Sequence, residues 1–172
     1  VEIIAENSIG KDSMSWQLEI GDKIALTPPL GWNSWNVWAL TVDDRKVRDA
    51  ALAMKESGLI DYGWNYVNID DGWEAEERTA WGELLSNDKF PDMKALSDYI
   101  HEMGLKIGIY SSPGPLTCGG YPGSYEHEFQ DARTWAKWGM DFLKHAWCSY
   151  RTIAKDNRLE ELPKPYRLMR TA

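Results

Sequence analysis

From Leu30 onward the chain alternates short apolar runs with amphipathic segments at steady spacing, and that alternation sharply limits what it can fold into. GWNSW reads as a short first strand and its loop. Val47, Ala50, Ala51 and Met54 then recur at i, i+3, i+4 and i+7, with Thr41 placed to cap a helix and Gly58 to end it. YVNID is a second strand, running into Asp70, Asp71, Gly72 and Trp73. Pro91-Asp92 starts a second helix with Met93, Leu96, Ile100 and Met103 inward, stopped by Gly104. LKIGIYSS is a third strand, followed by a Gly- and Pro-rich loop. A third helix carries Phe129, Ala132 and Ala136 inward and stops at Gly139. MDFLK is a fourth strand, and a fourth helix begins near Pro163.

Strand, helix, strand, helix means a parallel sheet with helices outside. The polar residues Asp70, Tyr110 and Lys144 stand at the C-terminal ends of successive strands. That rim is where a (β/α)8 barrel does its chemistry, and four units make half of one. The alternative is a doubly wound open sheet, but no GxGxxG or P-loop supports a nucleotide site.

Residues 1–22 read differently. VEIIAEN alternates, NSIGKDS is a turn and SWQLEIG alternates again, the pattern of a β-hairpin. The expected organisation is a hairpin remnant of an upstream β-sandwich module over 1–22, a linker over 23–29 and βα units over 30–172. The chain opens on Val1, so it is expected to be a processed or excised piece.

The net charge of -8 argues against a nucleic-acid partner, which needs clustered Lys and Arg. No apolar run approaches the length of a membrane span. The ten tryptophans, several beside Gly, Asn or Asp, suit either a filled core or rings that stack on sugars. The two cysteines, Cys118 and Cys148, are compatible with a cross-link or with two free thiols. No His, Cys and Asp spacing suggests a metal site, and no cofactor is expected.

Asp70 and Asp71 suit a pair of acceptors for vicinal sugar hydroxyls, with Trp32 and Trp73 as apolar walls. Asp-Asp-Gly also suits a plain turn. Tyr110 can donate through its phenol. Lys144 would be costly inside a barrel without a carboxylate or a ligand to meet. His145 has the opposite parity and should point away from the axis. Two residues beyond Lys144, on its own face, stands Ala146.

Taken together, TPPLGWNSWN, NYVNIDDGW, FPDMKALSDYIHEMGLKIGIYSSPG, TCGGYPGSY and WGMDFLK resemble the α-galactosidase family of retaining glycoside hydrolases (glycoside hydrolase family 27, the melibiase type). The likeness runs from about Thr27 to Cys148 and more loosely to Arg170. The first 22 residues resemble the end of an Ig-like module. The resemblance implies a (β/α)8 barrel and hydrolysis of terminal α-linked galactose, so an α-galactoside oligosaccharide or polysaccharide is the expected partner. It implies that Asp70 and Asp71 hold galactose hydroxyls, that Trp32 walls the sugar and that Tyr110 lines the site. Lys144 matches the lysine beside the nucleophile. Cys118 and Cys148 match a disulfide at the site rim, which implies a periplasmic or secreted setting.

One departure governs the chemistry. The family pattern after the fourth strand is Lys-aromatic-Asp, with that Asp as nucleophile; here it is Lys144-His145-Ala146. The family's acid/base carboxylate lies beyond Ala172. A retaining mechanism needs two carboxyl groups about 5–5.5 Å apart. The chain as given is therefore expected to be inactive, and a sugar-binding pseudoenzyme is the alternative. A related glycosidase acting on α-N-acetylgalactosaminides or β-L-arabinopyranosides is a further one.

Overall fold

A computed structural model describes residues 2–15, 28–155, 158 and 160–172. Two antiparallel strands, β1 (Glu2–Glu6) and β2 (Lys11–Ser15), form a hairpin whose residues are all exposed. The return strand begins earlier than the sequence suggests. The Asn7 side chain accepts from the amides of Ile9 and Gly10, and Asn7 N–H donates to Gly10 O at 2.9 Å, so pairing starts at Glu6–Lys11. The expected second strand after Ser15, and residues 23–27 of the linker over 23–29, lie outside the described residues.

The remaining elements are β3 (Leu30–Asn33), α1 (Trp35–Trp38), α2 (Asp44–Glu56), β4 (Trp64–Asn68), α3 (Met93–Glu102), β5 (Lys106–Ser111), α4 (Glu128–Trp138), β6 (Phe142–His145) and α5 (Lys164–Thr171). The four strands β3-β4-β5-β6 pair in parallel and in sequence order. This is half of a TIM barrel, with β3 and β6 as its edges.

Strand parity sorts the side chains into two layers. Val67, Ile69, Ile107 and Ile109 face the helices. There they meet Val47, Ala51 and Met54 of α2 and Met93, Leu96 and Ile100 of α3, all nearly inaccessible. Tyr66, Asn68, Gly108, Tyr110, Phe142 and Lys144 fall on the opposite, concave face. Tyr66 and Phe142 meet edge to face there, with ring centroids 5.9 Å apart.

Helix ends follow local chemistry. Asp92 caps α3 by accepting from Ala95 N–H at 2.9 Å, an interaction that contributes about 1 kcal/mol. The cap of α2 is Asp43, which accepts from Lys46 N–H, and not Thr41, which lies in a preceding 3-10 turn. Asp43 has the extended backbone that a cap needs.

Helix α4 is rotated from its expected phase. Phe129 is 48% exposed and Ala136 is exposed, while Glu128, Asp131 and Trp135 are buried. The reason is a charge the period cannot see. Arg78, from the loop after β4, grips both carboxylate oxygens of Asp131 at 2.7 Å, and Trp135 and Trp138 pack edge-on against Trp73.

Candidate active site

The site sits at the C-terminal ends of the four parallel strands. The Lys144 ammonium donates to Asp70 Oδ2, joining β6 to the end of β4 across 74 residues. Asp70 is only 2% exposed, so the pair closes the floor of the concave face. Ser34, just past β3, accepts from Asp70 N–H at 2.9 Å. Asp70 Oδ1 accepts from the Asp71 amide at 2.9 Å.

Asp71 is held by the loop after β5. Thr117 donates its hydroxyl to Asp71 Oδ1 at 2.9 Å, and Gly119 N–H donates to Oδ2 at 2.6 Å. A Cβ at Gly119 would stand 2.9 Å from that same oxygen, so only glycine permits the approach. A carboxylate has about four acceptor sites. These contacts use two on each aspartate and leave capacity for a ligand's hydroxyls. Burial, with Asp70 as a like-charged neighbour, pushes the Asp71 carboxyl up, against the hydrogen bonds that lower it.

Cys118 and Cys148 form a disulfide between this loop and the segment after β6, with Cα atoms 5.1 Å apart. A disulfide sulfur carries no proton, so Tyr110 donates its hydroxyl to Cys148 Sγ at 3.2 Å. Burial and the nearby Asp71 hold the Tyr110 phenol protonated well above its usual range. Lys144 Nζ also lies 5.4 Å from the Tyr110 ring centre. Ala146 N–H donates to Ser111 O at 2.9 Å, which carries the β5–β6 ladder one step past His145, the last residue of β6. Alternation puts the Ala146 methyl on the Lys144 face. His145 turns the other way, onto the ring of Tyr166 at 5.7 Å, and burial lowers its pKa to about 4.

Asp70, Asp71, Tyr110 and Lys144 thus converge, and alternation carried one residue beyond β6 points to Ala146 on their side. Trp32 does not join them. It pairs in register with Val67 on the helix-facing side, packs on Trp38 at 5.4 Å and borders a groove beside Ala50, Ala53 and Met54 of α2. A sugar wall at Trp32 is therefore ruled out by strand parity. Trp73 is also no wall: it is fully buried, and its indole N–H donates to Tyr110 O at 2.9 Å. The indole at the rim beyond β3 is Trp35, 38% exposed, in the same GWNSW motif. Ser34, Thr117 and Gly119 were further contributors without a sequence signal beyond their place in the rim loops.

The decisive comparison is with protein families. Residues 27–172 match the family model described as alpha galactosidase A. The chain belongs to this family. Among relatives of this α-galactosidase family, the alpha-galactosidase A of Cellvibrio japonicus is 48% identical over 134 residues, covering 77% of this chain and 33% of that one. The crystal structure of alpha-galactosidase I from Mortierella vinacea superposes with a TM-score of 0.80 at 46% identity, over 84% of this chain and 36% of that one. The α-galactosidase of Saccharomyces cerevisiae, solved with raffinose, gives a TM-score of 0.79 at 35% identity, over 84% and 32% respectively. The chain spans between 33% and 42% of the length of the first curated relatives it matches. Among the described residues, no group of three or more His, Cys, Asp or Glu is placed to hold a metal. No helix among them is long and apolar enough to cross a membrane.

A third acid belongs to the same turn. Glu74 is fully buried; its Oε2 accepts from Gly72 N–H at 2.9 Å, and its Oε1 has no partner among the described residues. Burial, then the Asp71 charge, raises its pKa well above the ordinary 4.5. A carboxyl raised in the folded state adds stability that is complete below its unfolded pKa. That stability is lost as pH rises through the folded value. Glu74→Gln should therefore match the parent in stability near pH 4 and exceed it increasingly above. Parallel denaturant melts from pH 4 to 9 measure this, and a constant difference across that range would contradict it.

Proposed function

We propose that residues 30–172 are the first four βα units of an eight-unit α-galactosidase-type barrel, with residues 1–22 the end of an Ig-like module and 23–29 a linker. The chain's small share of its relatives' length supports this. In this reading Asp70 and Asp71 accept the hydroxyls of a terminal α-linked galactose, Lys144 neutralises Asp70 beside the anomeric carbon, and Tyr110 lines the pocket. Position 146 is where a nucleophilic carboxylate would stand to attack the anomeric carbon, and the acid/base group belongs to the remaining units. With alanine there, the protein holds galactose and does not cleave it. The observation that carries the reading is the Lys144–Asp70 contact at the strand rim, with Ala146 next on the same face.

The disulfide between Cys118 and Cys148 supports an oxidising compartment, the periplasm or the outside of the cell. The substrate class is an α-galactoside oligosaccharide or polysaccharide. The net charge of -8 disfavours nucleic acid as a partner.

Titration of the full-length protein with galactose tests the binding half of the reading. Asp71→Ala removes a ligand acceptor and the anchor of Thr117 and Gly119 together. It should weaken galactose by roughly 10- to 100-fold, the effect of losing one or two charge-assisted hydrogen bonds. Unchanged affinity in a folded variant would rule Asp71 out as a sugar ligand.

A further inference from the structure

Trp81 is 82% exposed, whereas the next most exposed of the described tryptophans, Trp64, is at 41%. It stands at the tip of the loop that leaves β4 at its C-terminal end, on the side of Asp70 and Asp71. An indole left in water contributes little to folding, and a floppy tip would need no explanation. This tip is braced on every side. Gly82 N–H donates to Thr79 O and Thr79 N–H to Glu83 O, both at 2.9 Å. Arg78 donates to Gly82 O at 2.8 Å and to Gly123 O at 2.7 Å while it holds Asp131. Gln130, in the first turn of α4, donates to the carbonyl of Trp81 itself at 3.0 Å. The backbone under the ring is therefore fixed before any ligand arrives, which reduces the ordering cost of binding.

We propose that Trp81 is an aromatic platform for a sugar unit of a neutral, galactose-bearing polysaccharide, outside the pocket at Asp70 and Asp71. The proposal rests on the reading of that pocket as a galactose site. A pyranose presents a flat C–H face that an indole can cover, and its rim of hydroxyls needs acceptors. Exposed Glu76, Glu77 and Glu83 lie on the same loop and supply carboxylates. The same carboxylates, with the net charge of -8, repel nucleic acids and anionic lipid surfaces.

The test uses the full-length protein and two probes. Native electrophoresis through gels with and without galactomannan reads polymer binding, and calorimetry reads free galactose. Trp81→Ala should weaken galactomannan binding roughly tenfold, the effect of losing one stacked ring, with galactose affinity unchanged. Trp81→Phe should keep most of the retardation. Equal retardation of Trp81→Ala and the parent would overturn the platform, as would a parent that galactomannan does not retard. Loss of both ligands in Trp81→Ala would overturn it too, by showing an effect through the pocket. A parent that binds galactomannan without binding galactose would leave Trp81 in place and refute the pocket reading instead.

Discussion

On the proposed reading, Ala146→Asp should give the full-length protein the power to cleave α-galactosides. The substitution adds a carboxylate two residues past Lys144 and on its face, where the ladder bond from Ala146 N–H to Ser111 O fixes the backbone. Lys144 already bonds Asp70 and would stabilise a second negative charge nearby, keeping the new carboxyl ionised and nucleophilic. A covalent catalyst without its nucleophile commonly loses on the order of 10^4 to 10^6 in rate. The gain in kcat on a nitrophenyl α-galactoside, measured on the full-length protein, should fall in that range. A variant that folds and binds galactose like the parent, with no gain in turnover, would mean that position 146 does not face the anomeric carbon.

Removing the disulfide should have the largest effect on stability. Cys118 and Cys148 are 30 residues apart in sequence, and closing such a loop contributes about 3–4 kcal/mol in the chain-entropy treatment. The bond also serves the site. Thr117 and Gly119, which flank Cys118, hold both oxygens of Asp71, and Cys148 accepts from Tyr110. The double variant Cys118→Ala, Cys148→Ala should therefore lose about 3–4 kcal/mol by denaturant melt and bind galactose more weakly. A change below about 1 kcal/mol with affinity intact would show that the loop is held without the cross-link.

Much of this was legible before any coordinates. The parallel half-barrel followed from helix periods that stop at Gly58, Gly104 and Gly139, with Asp70, Tyr110 and Lys144 at the ends of the last three strands. Alternation placed Lys144 on one face and His145 on the other. The failures have physical causes. GWNSW contains two tryptophans three residues apart, and composition cannot choose between them. The choice comes from the register of β3 on β4, which shifts between Leu30 and Gly31 and sends Trp32 toward α2. The phase of α4 is set by Arg78, 53 residues from Asp131, and no local period carries a pairing at that range. Glu74 reads as one more acid after Asp-Asp-Gly-Trp, and only the fold shows it buried beside Asp71.

The most direct test leaves the sequence as it is. With alanine at position 146, the space for a carboxylate can admit a small anion. Azide entering there would attack the anomeric carbon opposite the leaving group, expelling nitrophenolate and forming a C–N bond with inverted configuration. The full-length protein should release nitrophenol from a nitrophenyl α-galactoside only when azide is present, and the product should be β-galactosyl azide. Galactose binding without release at any azide concentration would contradict the assignment of position 146 and leave a sugar-binding protein in its place.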